Sequence, residues 1–193
     1  MGHLFVVTSD YVFPHNFFMQ TDRRWNLFRV TPEFLQAKSI WLAAERDLHS
    51  SSLVFFRDAG KLLSLSQADY ELSNLAFFLS ILGVERALRL HYRDETEPFK
   101  QLLIKAVSEG LITDSIFQWI QPLSKDLNKL VDLESRQMSH AHKLSSLIPA
   151  LRNEFFHGIY YLMPEMLALT LQLREIADVL QTYEFPRTCQ AQT

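Results

Sequence analysis

The sequence predicts an all-α protein, an up-and-down helical bundle preceded by a short β-prone or extended N-terminal segment. Three observations carry this. Apolar residues recur at helical spacing over long stretches, as at Leu72, Leu75, Ala76, Leu79, Leu82 and Gly83. Fifteen Phe against only five Gly suit a large core with few tight turns. Helix start and stop residues also stand where these stretches begin and end.

Taken in order, residues 1–30 differ from the rest. Leu4-Phe5-Val6-Val7 and Tyr11-Val12-Phe13 are β-prone, and Pro14-His15-Asn16 is a turn signal. Two strands or an extended arm fit equally, and either would pack on the helical body or on a partner chain. Residues 31–185 form the helical domain. Its first helix opens at Thr31-Pro32-Glu33, with a threonine cap, proline at the first position and an early acid, and runs to about Leu48. Ser50-Ser51-Ser52 ends it, and Gly60 marks a looser connection with room for a short helix. The second long helix spans about Gln67 to Tyr92, with the apolar stripe above as its buried face. Thr96 caps a third, Glu97 to about Ser108, which Gly110 closes. Thr113-Asp114 starts the next element, split or kinked at Pro122. Two closing helices follow, about Lys143 to Leu162 and Pro164 to Tyr183. Pro149 lies inside the former or marks its true start. Residues 186–193 are expected to fray.

Composition excludes several classes. At 193 residues, 48% hydrophobic and 21% charged, the chain has the balance of a globular protein with one sizeable core. A net charge of −3 argues against coating nucleic acid through bulk positive charge, while a local basic cleft stays open. The single Cys189 forms no intramolecular disulfide, and no Cys/His cluster has zinc spacing. His140 and His142, two apart, point about 200° from each other on a helix. No cofactor or metal is expected, and no P-loop, dinucleotide fingerprint or nucleophile elbow occurs. The N-terminus lacks a basic signal-peptide region, and the longest apolar run, Leu75 to Val84, is about half a membrane span. A cytoplasmic protein without membrane attachment is expected.

Chemistry concentrates in Leu151-Arg152-Asn153-Glu154-Phe155-Phe156-His157-Gly158. Arginine offers a permanently charged fork of donors suited to phosphate, and histidine takes and gives protons near neutral pH. On a straight helix Asn153, His157, Tyr160 and Tyr161 share one face, while Leu151, Phe155, Ile159 and Leu162 line an adjacent apolar one. Arg152 and His157 then point about 140° apart. Either the backbone distorts, which Gly158 permits, or the two reach a common site by different routes, a two-fold homodimer being one. RNA transesterification needs a base, an acid and a cation for the phosphorane charge, and two copies of the segment supply all three without a metal. Upstream, Arg86, Arg89 and Arg93 form a basic edge near the negative end of their helix, either a solvated face or an RNA track.

This segment resembles the Arg-x(4–6)-His motif of HEPN domains, the higher-eukaryote and prokaryote nucleotide-binding superfamily. Leu82-Gly83-Val84-Glu85-Arg86-Ala87-Leu88-Arg89 is similar to the long HEPN helix with a central Glu-Arg pair. Phe99 through Gly110-Leu111-Ile112 resembles the helix and turn between those elements. The resemblance covers residues 35–183 but rests mainly on two segments. It implies a helical bundle of HEPN type that homodimerises with the motif at the interface. Many members are metal-independent endoribonucleases in toxin, antiviral or RNA-processing systems, while others are catalytically silent modules that bind nucleotide, RNA or a protein partner. Carried over, Arg152 would hold the scissile phosphate, His157 would act as base or acid, and Asn153 would fill the polar position after the arginine. Tyr160, Tyr161, Arg86 and Arg89 would support binding. Toxins of this kind with a nucleotidyltransferase antitoxin carry tyrosine two places after the histidine. Ile159 stands there in this chain, a departure that bears on any antitoxin partner. The plain structural alternative pairs Arg152 with an acid such as Glu154 or Glu165 and lets His157 cap a helix end.

Overall fold

The computed structural model describes residues 22–45, 48–118, 138–157 and 165–182. Among them are seven α-helices, one 3-10 turn and no strand: α1 Arg23–Leu27, α2 Pro32–Ala43, α3 Ser50–Leu65, α4 Glu71–Tyr92, α5 Phe99–Ser108, the 3-10 turn Asp114–Ile116, α6 His140–Phe156 and α7 Glu165–Thr182. The all-α helical bundle expected from the sequence is what forms. Sequence neighbours α2, α3 and α4 pack side by side, α4 also lies against α7, and α5 pairs with α6.

Several boundaries differ from expectation. Helix α1 stands within residues 1–30, where an extended segment was anticipated. Asp22 caps it by accepting from the Arg24 amide at 2.9 Å. Trp25 is buried against Tyr70, and its indole N–H donates to the Ser66 carbonyl at 2.5 Å. The β-prone stretches 4–7 and 11–13 lie outside the described residues, as do Pro122 and the tail.

Helix α3 corrects the looser connection anticipated around Gly60. The serine run begins this helix rather than ending α2, with the His49 ring accepting from the Ser51 amide at 3.2 Å. Gly60 is buried where α2 crosses, and a Cβ there would lie 2.7 Å from the Ser39 carbonyl oxygen. Gly83 serves the α3–α4 contact in the same way, its missing Cβ leaving room for the Phe56 ring. Helix α2 stops at Ala43, and its last carbonyls are met from α7: buried Arg174 donates to Leu42 O at 2.6 Å and Ala44 O at 3.0 Å, and pairs with Asp178 at 2.8 Å. A helix end buried without such donors would leave its carbonyls unsatisfied.

The buried face of α4 is rotated from the expected leucine stripe. Ser73, Asn74, Ala76, Phe77, Ser80, Ile81, Gly83, Val84, Ala87 and Leu88 face inward, while Leu75 is exposed and Leu72, Leu79 and Leu82 lie at the flanks. Small residues win these places because two helices approach closely, and Ser73 and Ser80 return their hydroxyls to Tyr70 O and Ala76 O. The turn into α5 is organised by Asp94 rather than by Thr96. Its carboxylate accepts from the Thr96 amide and hydroxyl and from the Glu97 amide, and these bonds hold it below the usual carboxylate range. Gly110 closes α5 at φ 75°, as the sequence predicts.

Candidate functional site

Helix α6 carries the Arg/His segment, and its start explains its length. Ser139 caps it, accepting from the His142 amide at 3.3 Å, and the Asp114 carboxylate takes the amides of His140 and Ala141 at 3.1 and 2.8 Å. Burial raises the Asp114 carboxyl, but those two amide bonds outweigh it and hold it below the ordinary value. With its first turn satisfied from outside, α6 runs unbroken through Pro149, which is buried inside the helix rather than at its start. Leu144, Leu147, Ile148, Leu151 and Phe155 form the buried stripe.

The stripe turns Arg152 towards α4 and α5. Its Nη2 lies 3.0 Å from Glu85 Oε2, and its guanidinium sits 5.1 Å from the Phe156 ring centroid and 5.9 Å from that of Phe99. The same carboxylate is shared: Arg89 Nη2 reaches Glu85 Oε1 at 2.8 Å. Arg89 is further tied to the α4–α5 turn by Nη1, which donates to Glu97 O at 3.2 Å and approaches Asp94 O at 3.5 Å. Arg86 does not enter this cluster. It pairs with Glu95 at 2.7 Å and donates to the Ser51 hydroxyl at 3.3 Å. The basic edge is thus neither a solvated face nor an open track at Arg86 and Arg89, since both are half-buried and ion-paired.

The Glu85–Arg152 contact is close but badly aimed. Glu85 Oε2 and Arg152 Nε are both buried without a directed hydrogen bond among the described residues, despite the 3.0 Å approach of Nη2. A forked arginine–carboxylate pair uses two parallel N–H donors. Here one donor of the fork is left over. The Arg152 side chain remains 27% exposed and that of Glu85 13%, so the contact is screened only in part.

His157 closes α6 as its C-cap, its amide donating to Asn153 O at 3.2 Å and Glu154 O at 3.0 Å. The imidazole is exposed and makes no hydrogen bond to a described residue, and Asn153 is exposed beside it. The segment therefore does not bring Arg152 and His157 together within one copy. Arg152 is held between helices, while His157 faces solvent. Ile159, Tyr160 and Tyr161 lie outside the described residues. Around His157 the surface is aromatic: Phe156 is 63% exposed and meets Phe78 edge-on at 5.3 Å, and Phe78 stacks on Phe155 at 6.0 Å.

Of the other residues weighed, His140 turns to Gln172 Oε1 at 3.3 Å and His142 to the Ser139 hydroxyl at 2.8 Å, so they share no ligand point. No group of three potential metal-binding side chains occurs among the described residues. A cleft of about 310 Å³ between the ends of α4 and α5 is lined by Tyr92, Asp94, Glu97, Gln101 and Lys105, among others, and includes no residue of the Arg/His segment. Glu85, Phe99 and Phe156 are the participants that sequence reasoning left without a role. Only the i,i+4 spacing of Glu85 and Arg89 signalled part of it.

No described helix is long and apolar enough to cross a membrane. No family model, curated protein or solved structure matches the chain.

Proposed function

We propose that the chain is a HEPN-like protein that cleaves RNA without a metal, two copies contributing Arg152, Asn153 and His157 to one cleft. The presentation of His157 carries this reading. An imidazole with no hydrogen bond to a described residue stands at the end of a helix whose Arg152 side chain is 27% exposed. In the reaction one histidine takes the 2′-hydroxyl proton, and the freed oxygen attacks phosphorus. The second histidine protonates the departing 5′-oxygen, and Arg152 offsets the charge gathered on the phosphorane. The products end in a 2′,3′-cyclic phosphate and a 5′-hydroxyl.

A second reading, a catalytically silent HEPN-like module that binds nucleotide, RNA or a protein partner, is favoured by one observation. Glu85 already occupies the arginine that a scissile phosphate would need. Cleavage of mixed single-stranded and structured RNA in EDTA separates the two. Wild type should produce cyclic-phosphate ends, and Arg152→Ala and His157→Ala should each lose about a hundredfold or more in rate while folding normally. Well-folded wild type that leaves every RNA intact would turn the choice to the silent module.

A further inference from the structure

We infer that Arg89 and Arg152 form one anion site whose resident occupant is the Glu85 carboxylate, and that an RNA phosphodiester takes that carboxylate's place. The inference rests on the reading of Arg152 as a phosphate-binding residue, and adds to it a second arginine and an internal competitor.

Two cations converge on a single anion, leaving the cluster one positive charge in excess. The two arginines are held independently of Glu85. Arg89 keeps its bond to the Glu97 carbonyl, and Arg152 keeps its place against the Phe156 and Phe99 rings. Removing the carboxylate would therefore leave a formed site. The fit between Glu85 and Arg152 is also incomplete, since Oε2 of one and Nε of the other are buried without a directed partner among the described residues. A planar carboxylate anchored on α4 offers Arg89 one oxygen and Arg152 the other, so neither guanidinium receives a fork. A phosphodiester arriving from solvent is free to orient both non-bridging oxygens, and arginine's fork matches that geometry. Glu85 is not sealed in, being 13% exposed, so its side chain has a path to water when displaced. Two charged neighbours are committed elsewhere: Arg86 to Glu95, and the Asp94 carboxylate to the amides of its own turn.

A phosphodiester carries the same single negative charge as the carboxylate it displaces, so its advantage is its freedom to present both non-bridging oxygens to the guanidinium forks, and the site is muted until such a ligand arrives. The probe is a fluorescein-labelled single-stranded RNA with 2′-O-methyl riboses, which cannot undergo transesterification, titrated in EDTA and read by anisotropy. Glu85→Gln should bind about tenfold more tightly than wild type. Adding Arg152→Ala to Glu85→Gln should abolish the gain. Glu71→Gln, at the far end of α4, changes net charge equally and should move affinity by less than about twofold. Glu85→Asp retains a counter-charge that protects the fold but shortens the reach to Arg152, and it should show an intermediate gain. Equal affinities for Glu85→Gln and Glu71→Gln would overturn the inference. A gain that survives Arg152→Ala, or no binding by any variant, would also do so. Because the probe cannot be cut, these outcomes are independent of the cleavage assay. Wild type that cleaves RNA while Glu85→Gln gains no affinity removes the resident-anion site and leaves the ribonuclease reading standing.

Discussion

Asp22 concentrates more directed bonds than any site residue. Its carboxylate takes the Arg24 amide and guanidinium and the Tyr70 amide, while its own amide donates to Gln67 O at 2.7 Å. The Arg24 side chain, above the amide bonds, holds this carboxyl far below the ordinary aspartate range. The folded value lies below the unfolded one, so the stabilisation is complete above about pH 4 and is lost as pH falls through the folded value. Asp22→Asn should lower stability at pH 7 by about 2 kcal/mol, from the cap and the charged hydrogen bonds. Urea unfolding at pH 7 and pH 2.5 should show the difference from wild type narrowing at the lower pH. A deficit that stays constant with pH would show that charge is not its source. At this scale the sequence was partly legible. Leu151 and Phe155 lie in the core as the helical spacing requires, and His157 caps α6. The partner of Arg152 was not legible as Glu154 or Glu165, because tertiary packing and not local spacing chose Glu85 from another helix.

At the level of elements, helix existence followed from periodicity, and helix ends followed from caps. Where expectation missed, close packing was the cause. Glycine and a serine run around α3 read as breaks, yet Gly60 is what allows α2 to approach, and the serines sit at a helix N-terminus, where such residues are favoured. The α4 stripe shifted for a similar reason, small residues being selected at helix crossings. Gly60→Ala tests this directly. Helix propensity alone favours alanine by about 1 kcal/mol. The added Cβ would stand 2.7 Å from a backbone oxygen and 2.9 Å from Ala43 Cβ, which requires α2 to move. Overpacking of this kind costs about 1–3 kcal/mol, so the net change should be a loss of up to about 2 kcal/mol in urea unfolding. A stabilised Gly60→Ala would mean that α2 and α3 separate readily.

For the whole molecule, the geometry of α6 sets the terms on which the proposed chemistry can run. Arg152 is fixed towards α4 and α5 and His157 points to solvent, so the Arg/His segment of one copy brings one imidazole where base and acid are both needed. In the proposed two-fold pair the second copy would supply the second imidazole, and the exposed Phe156 next to it would give that contact an apolar element. The proposed composite site has a consequence that a self-sufficient copy would not share. When wild type is mixed with His157→Ala and subunits exchange, every mixed dimer lacks one histidine. Active dimers then fall as the square of the wild-type fraction, so an equal mixture at constant total protein should retain about a quarter of the activity rather than half. Cleavage rates across a series of mixing ratios, with exchange confirmed by differently tagged copies, should trace that curve. A straight line through one half, with exchange demonstrated, would place base and acid within a single chain and remove the two-fold cleft.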